Sequence, residues 1–311
     1  MSDLTSFLRE RGVEPVNVVP LLGGEKNRSW LVDGAGGSRF VAKSYSTSTR
    51  AEVEYELHAA KFVADRGFPT PAPIAAEDGS LRGLIDDRPA ALFTYAAGEH
   101  PTDLTDDYFS ADRQLGRRAA GLAAQLHELC ADRSFPGGRT ARLDPLRRIQ
   151  TFLRSPYADL PVLRETSHRL IALQEKMAAV YADPAGLRQG LLHNDISAVN
   201  LLLDQAGDIT ALIDFDDCMT SFQLYDLGRI AETWGRTADR HADLSRINEL
   251  IEAYNATRPL TDREAELALD LIATYAAATG VDVLTNMLRA GSHVEDPRAS
   301  YSMLFYLDLC R

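Results

Sequence analysis

Cysteine is almost absent: the chain of 311 residues has three, Cys130, Cys218 and Cys310. They lie too far apart for a CxxC pair or a zinc knuckle, so neither a disulfide framework nor a structural zinc site is expected, and a reducing compartment is. Long apolar runs are missing too. The best stretch, residues 273–288, is broken by Gly280, Asp282 and Asn286, and nothing approaches the thickness of a bilayer. The opening MSDLTSFLRERG mixes acids with bases around no apolar segment, which argues against a secretory leader and for a cytoplasmic protein. Basic residues are in deficit, 33 Lys and Arg against 45 Asp and Glu, for a net charge of −12. Such a surface repels phosphate backbones and anionic lipid, so neither nucleic acid nor membrane is expected as a partner. There is no internal repeat and no low-complexity tract. With 45% hydrophobic and 25% charged residues, disordered and collagen-like readings are excluded.

What remains is a globular chain long enough for one large unit or two lobes. Residues 16–22, 29–33 and 39–44 read as strands, the last two joined by Gly34-Ala35-Gly36-Gly37, a hairpin signal. A helix is predicted over 50–66, with Val53, Leu57, Ala60 and Ala64 on one face and Gly67 and Pro69 to stop it. Residues 83–85 and 90–95 read as further strands. After Gly98 the character changes to amphipathic helices, at Leu115 to Leu129, 167–181, 244–256 and 262–288. One β-rich island interrupts them, Leu201-Leu202-Leu203, a DQAGD turn and residues 209–213. The boundary is placed at Ala96, giving an N-terminal part of 1–95 and a C-terminal part of 96–311. The first holds 11 bases and 13 acids and the second 22 and 32, so the acidity belongs to the helical part.

Chemistry concentrates in residues 190–218, GLLHNDISAVNLLLDQAGDITALIDFDDC. His193, Asp195 and Asn200 precede the predicted hairpin and Asp214, Asp216 and Asp217 follow it. A hairpin is a rigid spacer that brings a loop and a strand end side by side, which would converge Asp195, Asn200 and Asp214. A carboxylate and an amide carbonyl are hard oxygen donors suited to Mg2+. A second carboxylate nearby can accept a hydroxyl proton, the base role in phosphoryl transfer. Each acid alone reads as a turn residue; their order around apolar strand runs is the informative feature.

In that order the segment resembles the kinase-like phosphotransferases of the aminoglycoside phosphotransferase, choline kinase and homoserine kinase superfamily. HNDISAVN resembles the catalytic loop and IDFDD the metal-binding segment. The resemblance implies Asp195 as catalytic base, Asn200 and Asp214 as Mg2+ ligands, and His193 as a brace of the loop. Two departures bear on loop shape: Asn194 stands where the family often has Gly or Ala, and Ser197, Ala198 and Val199 replace a stretch that usually contains Pro or Gly. Leu22 to Trp30 resembles the family's glycine-bearing nucleotide loop, with Gly23, Gly24 and Asn27 at the nucleotide. Lys43 would orient phosphates, with Lys26 as the competing lysine. Its acidic partner would be Glu56, nearer the apolar helix face, with Glu52 in reserve and Glu54 facing solvent. Residues 91–99, ALFTYAAGE, resemble the interlobe hinge, whose backbone at Phe93, Thr94 and Tyr95 would meet the purine. Leu126-His127 resembles the end of the following helix, with His127 structural, and Tyr225-Asp226-Leu227 a later element in which Asp226 caps a helix. The likeness runs over residues 15–235, and AYNATRPLTDREAE is similar to the tail of homoserine kinase-like members.

The fold implied is α+β and bilobal, protein-kinase-like, with a small β-rich N-lobe and a larger, mainly helical C-lobe. The activity implied is transfer of phosphate from ATP, with GTP left open, to a hydroxyl of a small, amine-bearing acceptor such as an aminoglycoside or another antibiotic-like molecule, with Mg2+. A homoserine- or choline-like amino alcohol is the alternative acceptor, and Asp216 and Asp217 are candidate acceptor contacts. A protein kinase would need a long activation segment with an APE-like anchor, yet Asp226 follows Asp214 by only twelve residues. A pseudokinase would normally have lost Lys43, Asp195 or Asp214, and all three are present. Oligomeric state leaves no mark in the sequence.

Overall fold

Period-two alternation in the first hundred residues becomes one antiparallel sheet. The computed structural model describes residues 2–21, 27–105, 108–131, 133–138 and 143–310. A short helix α1 (Ser2–Arg9) leads into β1 (Pro15–Leu21), β2 (Asn27–Gly34), β3 (Arg39–Tyr45), helix α2 (Arg50–Ala64), β4 (Gly83–Ile85) and β5 (Arg88–Thr94). The strands lie in the order β1-β2-β3-β5-β4. The β2–β3 turn needs left-handed backbone, which Gly36 and Gly37 supply at φ 76° and 83°. In the tight β4–β5 turn Asp86 and Asp87 take φ 50° and 61°, a geometry that Asp tolerates better than most side chains.

The two faces of the sheet bury different helices. Val32, Ala42, Ile85, Ala90 and Leu92 pack with Leu4, Phe7 and Leu8 of α1, and Tyr45, Ala91 and Leu81 pack with Val53 and Leu57 of α2. Alternation along β3 therefore puts Lys43, paired opposite Ala91, on the α2 side. The helix α1 was not anticipated: its eight residues are too few for a periodic signal, although Leu4, Phe7 and Leu8 have helical spacing. Thr49 and Glu52 cap α2 reciprocally, Glu52 N–H donating to Thr49 Oγ1 at 3.3 Å and Thr49 N–H to Glu52 Oε2 at 2.8 Å.

From residue 113 onward helices dominate: α3 (Arg113–Leu129), α4 (Pro145–Leu153) and α5 (Arg164–Ala182). Four short strands follow, β6 (Gln189–Leu192), β7 (Leu201–Leu203), β8 (Ile209–Leu212) and β9 (Met219–Phe222). The chain closes with α6 (Tyr225–Trp234), α7 (Leu244–Thr257), α8 (Asp262–Arg289) and α9 (Tyr301–Leu309). Strand β6 pairs with β9 and β7 with β8, both antiparallel. Helix α8 is long and apolar enough to cross a bilayer by length and composition, but 72% of its most apolar window is buried within the chain.

Where one cut near Ala96 was expected, the division into two compact units is discontinuous. The first unit takes residues 1–100, 132–140 and 200–218, and the second takes 101–131, 141–199 and 219–311. In the first unit the β7–β8 hairpin is tied down by Leu212 N–H to Pro69 O at 2.8 Å and by Glu99 against Leu203. Residues 133–138 lie on α2: the Phe135 ring meets Tyr55 and Phe62, and Gly138 N–H donates to Ala51 O at 3.1 Å. In the second unit the helices pack closely through glycine. A Cβ on Gly228 of α6 would stand 2.4 Å from Tyr275 Cβ of α8, and one on Gly116 of α3 would stand 2.7 Å from Trp234.

Candidate active site

In the second unit β6 delivers a loop that begins at His193. The Asp226 carboxylate holds its backbone, accepting from His193 N–H at 2.8 Å and Asn194 N–H at 2.6 Å. His127 Nε2 stands 3.0 Å from the same carboxylate, and its Nδ1 stands 2.8 Å from Tyr254 Oη. Burial lowers the His127 pKa against the opposing pull of Asp226, so the ring is a neutral donor. Asn194 takes a left-handed φ of 67°, a conformation that Gly or Asn adopts at least cost, and Tyr275 Oη donates to its carbonyl at 2.7 Å. Asp226 is thus an anchor rather than the helix cap expected of it. Leu224 occupies the cap position of α6 without a side-chain hydrogen bond, and Asp226, fully buried, is turned to the loop.

The anchored loop presents Asp195, whose side chain is 31% exposed. Its own N–H donates to His193 Nδ1 at 3.3 Å, which makes His193 a brace. Arg229 Nε donates to Asp195 Oδ1 at 2.7 Å, and Ser197 Oγ donates to the same oxygen at 3.3 Å. Arg229 was missed in the sequence. The signal that could have found it is a lone arginine inside the apolar run Leu227 to Ala231 of an amphipathic helix.

In the first unit Lys43 is the hub. Its Nζ donates to Asp214 Oδ1 at 2.7 Å and to Asp216, and it lies 3.8 Å from Glu56 Oε1. Glu56 is 1% exposed and accepts from Tyr45 Oη at 2.7 Å. Of the helix acids, Glu52 is engaged in its cap, and Glu54, expected in solvent, is half-buried against Arg82 Nε at 2.8 Å. Asp216, weighed as an acceptor contact, instead takes hydrogen bonds from Lys43 and from the Asn27 amide, while Asn27 Oδ1 receives Ser46 N–H at 3.1 Å. The electrostatics follow from three carboxylates around one ammonium. Burial alone would lower the Lys43 pKa, but Asp216, Glu56 and Asp214 raise it well above its ordinary value. Burial, then Asp216, pushes Glu56 up to about 8.

Asn200 ends a short turn before β7, and Ile213 N–H donates to its carbonyl at 2.9 Å, so the hairpin places Asn200 beside the residue that precedes Asp214. Asp214 is left-handed at φ 65°, and its side chain is 45% exposed. One amide and one carboxylate on neighbouring hairpin ends fit Mg2+, which keeps most of its waters. No group of three or more His, Cys, Asp or Glu arranged to hold a metal occurs among the described residues, so a wholly protein-ligated centre of the zinc kind is not among them. Asp217 is half-buried at the end of the same segment.

Gly23, Gly24 and Lys26 lie outside the described residues. Along the hinge, Phe93 packs on the α2 side of the sheet. Thr94 N–H donates to Ala72 O at 2.9 Å and Tyr95 N–H to Arg39 O at 3.3 Å, so neither is available to a base edge. The Tyr95 ring is covered by Arg39, whose guanidinium carbon lies 4.9 Å from its centroid.

The sequence profile of the phosphotransferase enzyme family matches residues 17–260. The chain belongs to this family. Among relatives of this phosphotransferase, homoserine kinase of Methylobacillus flagellatus is 27% identical over 253 residues, covering 81% of this chain and 74% of that one. Homoserine kinase of Phenylobacterium zucineum is 28% identical over 273 residues, covering 85% and 77%. Among solved structures, an amicoumacin kinase in complex with AMP-PNP, Ca2+ and Ami superposes with a TM-score of 0.71 at 16% identity over 99% of this chain and 93% of that one. A microcompartment-associated aminopropanol kinase gives 0.64 at 17% identity over 99% and 95%. The fold of this phosphotransferase is therefore kinase-like α+β, and the chain is a small-molecule kinase acting on a hydroxyl.

Proposed function

We propose that this phosphotransferase uses ATP and Mg2+ to phosphorylate a hydroxyl of a small amine-bearing molecule, and that its acceptor is an amino alcohol of homoserine size. The observation that carries the chemistry is the loop that Asp226 anchors, which offers one half-exposed carboxylate, Asp195, from an otherwise buried frame. Homoserine kinases matched over four-fifths of this chain support the acceptor class. The likeness to antibiotic kinases is one of fold, so antibiotics form the second panel of acceptors.

In this reading Asp195 orients the acceptor hydroxyl and accepts its proton. Lys43 binds the nucleotide's phosphates, and Glu56 holds the lysine in place. Asn27, with Gly23 and Gly24, would contact the nucleotide's phosphates, and residues 93–95 would border the base without donating to it from the Thr94 or Tyr95 N–H. Asn200 and Asp214 would hold Mg2+, which when bound offsets the phosphate charge. Asp216 serves the nucleotide half, where it fixes Lys43 and Asn27.

The test is a phosphorylation screen with ATP and Mg2+ over homoserine, aminopropanol, choline and aminoglycosides, set beside Asp195→Asn. The amino alcohols should be phosphorylated best, and the variant should lose kcat by about 10²–10⁴. Undiminished activity in the variant would overturn the base, and a preference for aminoglycosides would overturn the acceptor.

A further inference from the structure

Asp195 ends in a carboxylate that rotates easily about its terminal bond, and a proton acceptor works only while it points at its hydroxyl. In the second unit an arginine meets this carboxylate. Arg229 Nε donates to Asp195 Oδ1 at 2.7 Å, and on the other side of the guanidinium Nη1 lies 3.8 Å from Glu232 Oε2. Glu232 is 1% exposed, and Arg229 is the strongest of the groups that favour its charge, ahead of Arg236 and a hydrogen bond with Ser302. A buried carboxylate costs several kcal/mol unless paired, and a helix that needed only packing would carry an apolar residue here. The Tyr108 ring, 5.6 Å from the guanidinium carbon, borders the same group, leaving the arginine side chain 16% exposed. Tyr275 of α8 adjoins the cluster and holds the Asn194 carbonyl, so the loop is fixed through its backbone and its side chain together.

Resting on the reading of Asp195 as the base, we propose that Arg229, backed by buried Glu232, is a positioning residue that holds the Asp195 carboxylate in one orientation toward the acceptor hydroxyl. Only a planar guanidinium serves both acids, because its Nε and Nη1 donors diverge from one rigid plane; a lysine ammonium supplies the charge without that fork. Burial by itself would lower the Arg229 pKa, but Asp195 and Glu232 raise it above its ordinary value, so the residue is a permanent cation. Burial raises the Glu232 pKa, and Arg229, Arg236, Ser302 and Arg148 oppose that rise.

Arg229→Gln, Arg229→Lys and Arg229→Ala test this with ATP and homoserine, and in parallel with water as acceptor in background ATP hydrolysis. Misplacement of a reacting group by an ångström costs about a hundredfold, so Arg229→Gln should lose kcat by about thirty- to a hundredfold with the KM for ATP within about twofold. Arg229→Lys should recover only part of the rate, and guanidinium at low millimolar concentration should raise the rate of Arg229→Ala severalfold where ammonium does not. Full kcat in Arg229→Gln or Arg229→Lys overturns the proposal, as does a loss expressed in the KM for ATP. If Arg229→Gln does not fold, the lysine variant and the guanidinium rescue decide alone. Asp195→Asn separates the two readings. An inactive Asp195→Asn beside a fully active Arg229→Lys sinks the arginine and leaves the base, whereas an active Asp195→Asn sinks the base itself.

Discussion

Glu56 has a cost that can be measured. Its carboxyl is buried and pushed up to about 8, so in the folded, nucleotide-free protein it holds its proton over a range where an unfolded glutamate, near 4.5, has lost it. A raised folded pKa contributes stability that is full below 4.5 and is lost as pH rises through about 8. The melting temperature of the wild type relative to Glu56→Gln should therefore fall between pH 5 and 8.5, where glutamine has nothing to ionise. A constant difference across that range would remove the shift. Single residues also mark the limit of what the sequence discloses. Lys43 and Glu56 were legible because a strand and a helix with plain periodicity place them on facing sides. Asp226 was not: its partners His127 and His193 are 99 and 33 residues away, and no spacing rule connects them. Arg229 was overlooked because a charge within an apolar helix face is visible only when its partner, 34 positions earlier, is known.

At the scale of elements, most strands and long helices fell within a few residues of expectation, since alternation and caps are local. What local pattern does not give is how closely two helices approach. Helix α6 touches α8 at Gly228, where a Cβ would sit 2.4 Å from Tyr275 Cβ. The neighbouring residue is Arg229, and Tyr275 itself holds Asn194. A methyl group at Gly228 must push α6 outward and carry the guanidinium with it. Gly228→Ala is expected to destabilise by about 2–3 kcal/mol in urea melts and to reduce kcat in the surviving folded protein. An alanine variant with unchanged stability would mean that the two helices separate at no cost.

At the scale of the whole molecule, the charge divides unevenly: residues 1–95 are nearly neutral, and residues 96–311 carry 32 acids against 22 bases. A cationic acceptor should be drawn to the helical part by a long-range field, so its KM should rise between about 0.05 M and about 0.5 M salt, as the Debye length shrinks. The KM for ATP, measured in the same series, is the control. An acceptor KM that does not respond to salt would make the acidity a matter of solubility alone. The sequence placed one boundary, at residue 95, because composition changes there. It could not show that 132–140 and 200–218 return to the first unit, since those returns depend on distant contacts such as Phe135 on Tyr55 and Leu212 on Pro69.

The interleaving also bears on inheritance. The chain passes between its units five times, with the first unit extending to residue 218 and the second beginning at residue 101. No single genetic crossover can therefore hand either unit intact to a descendant while exchanging the other. A crossover before residue 101 or after residue 218 splits one unit between two parents, and one in the span between splits both. Exchange of a whole unit in such a lineage would take several crossovers at once, whereas a substitution can change one unit and leave the other as inherited.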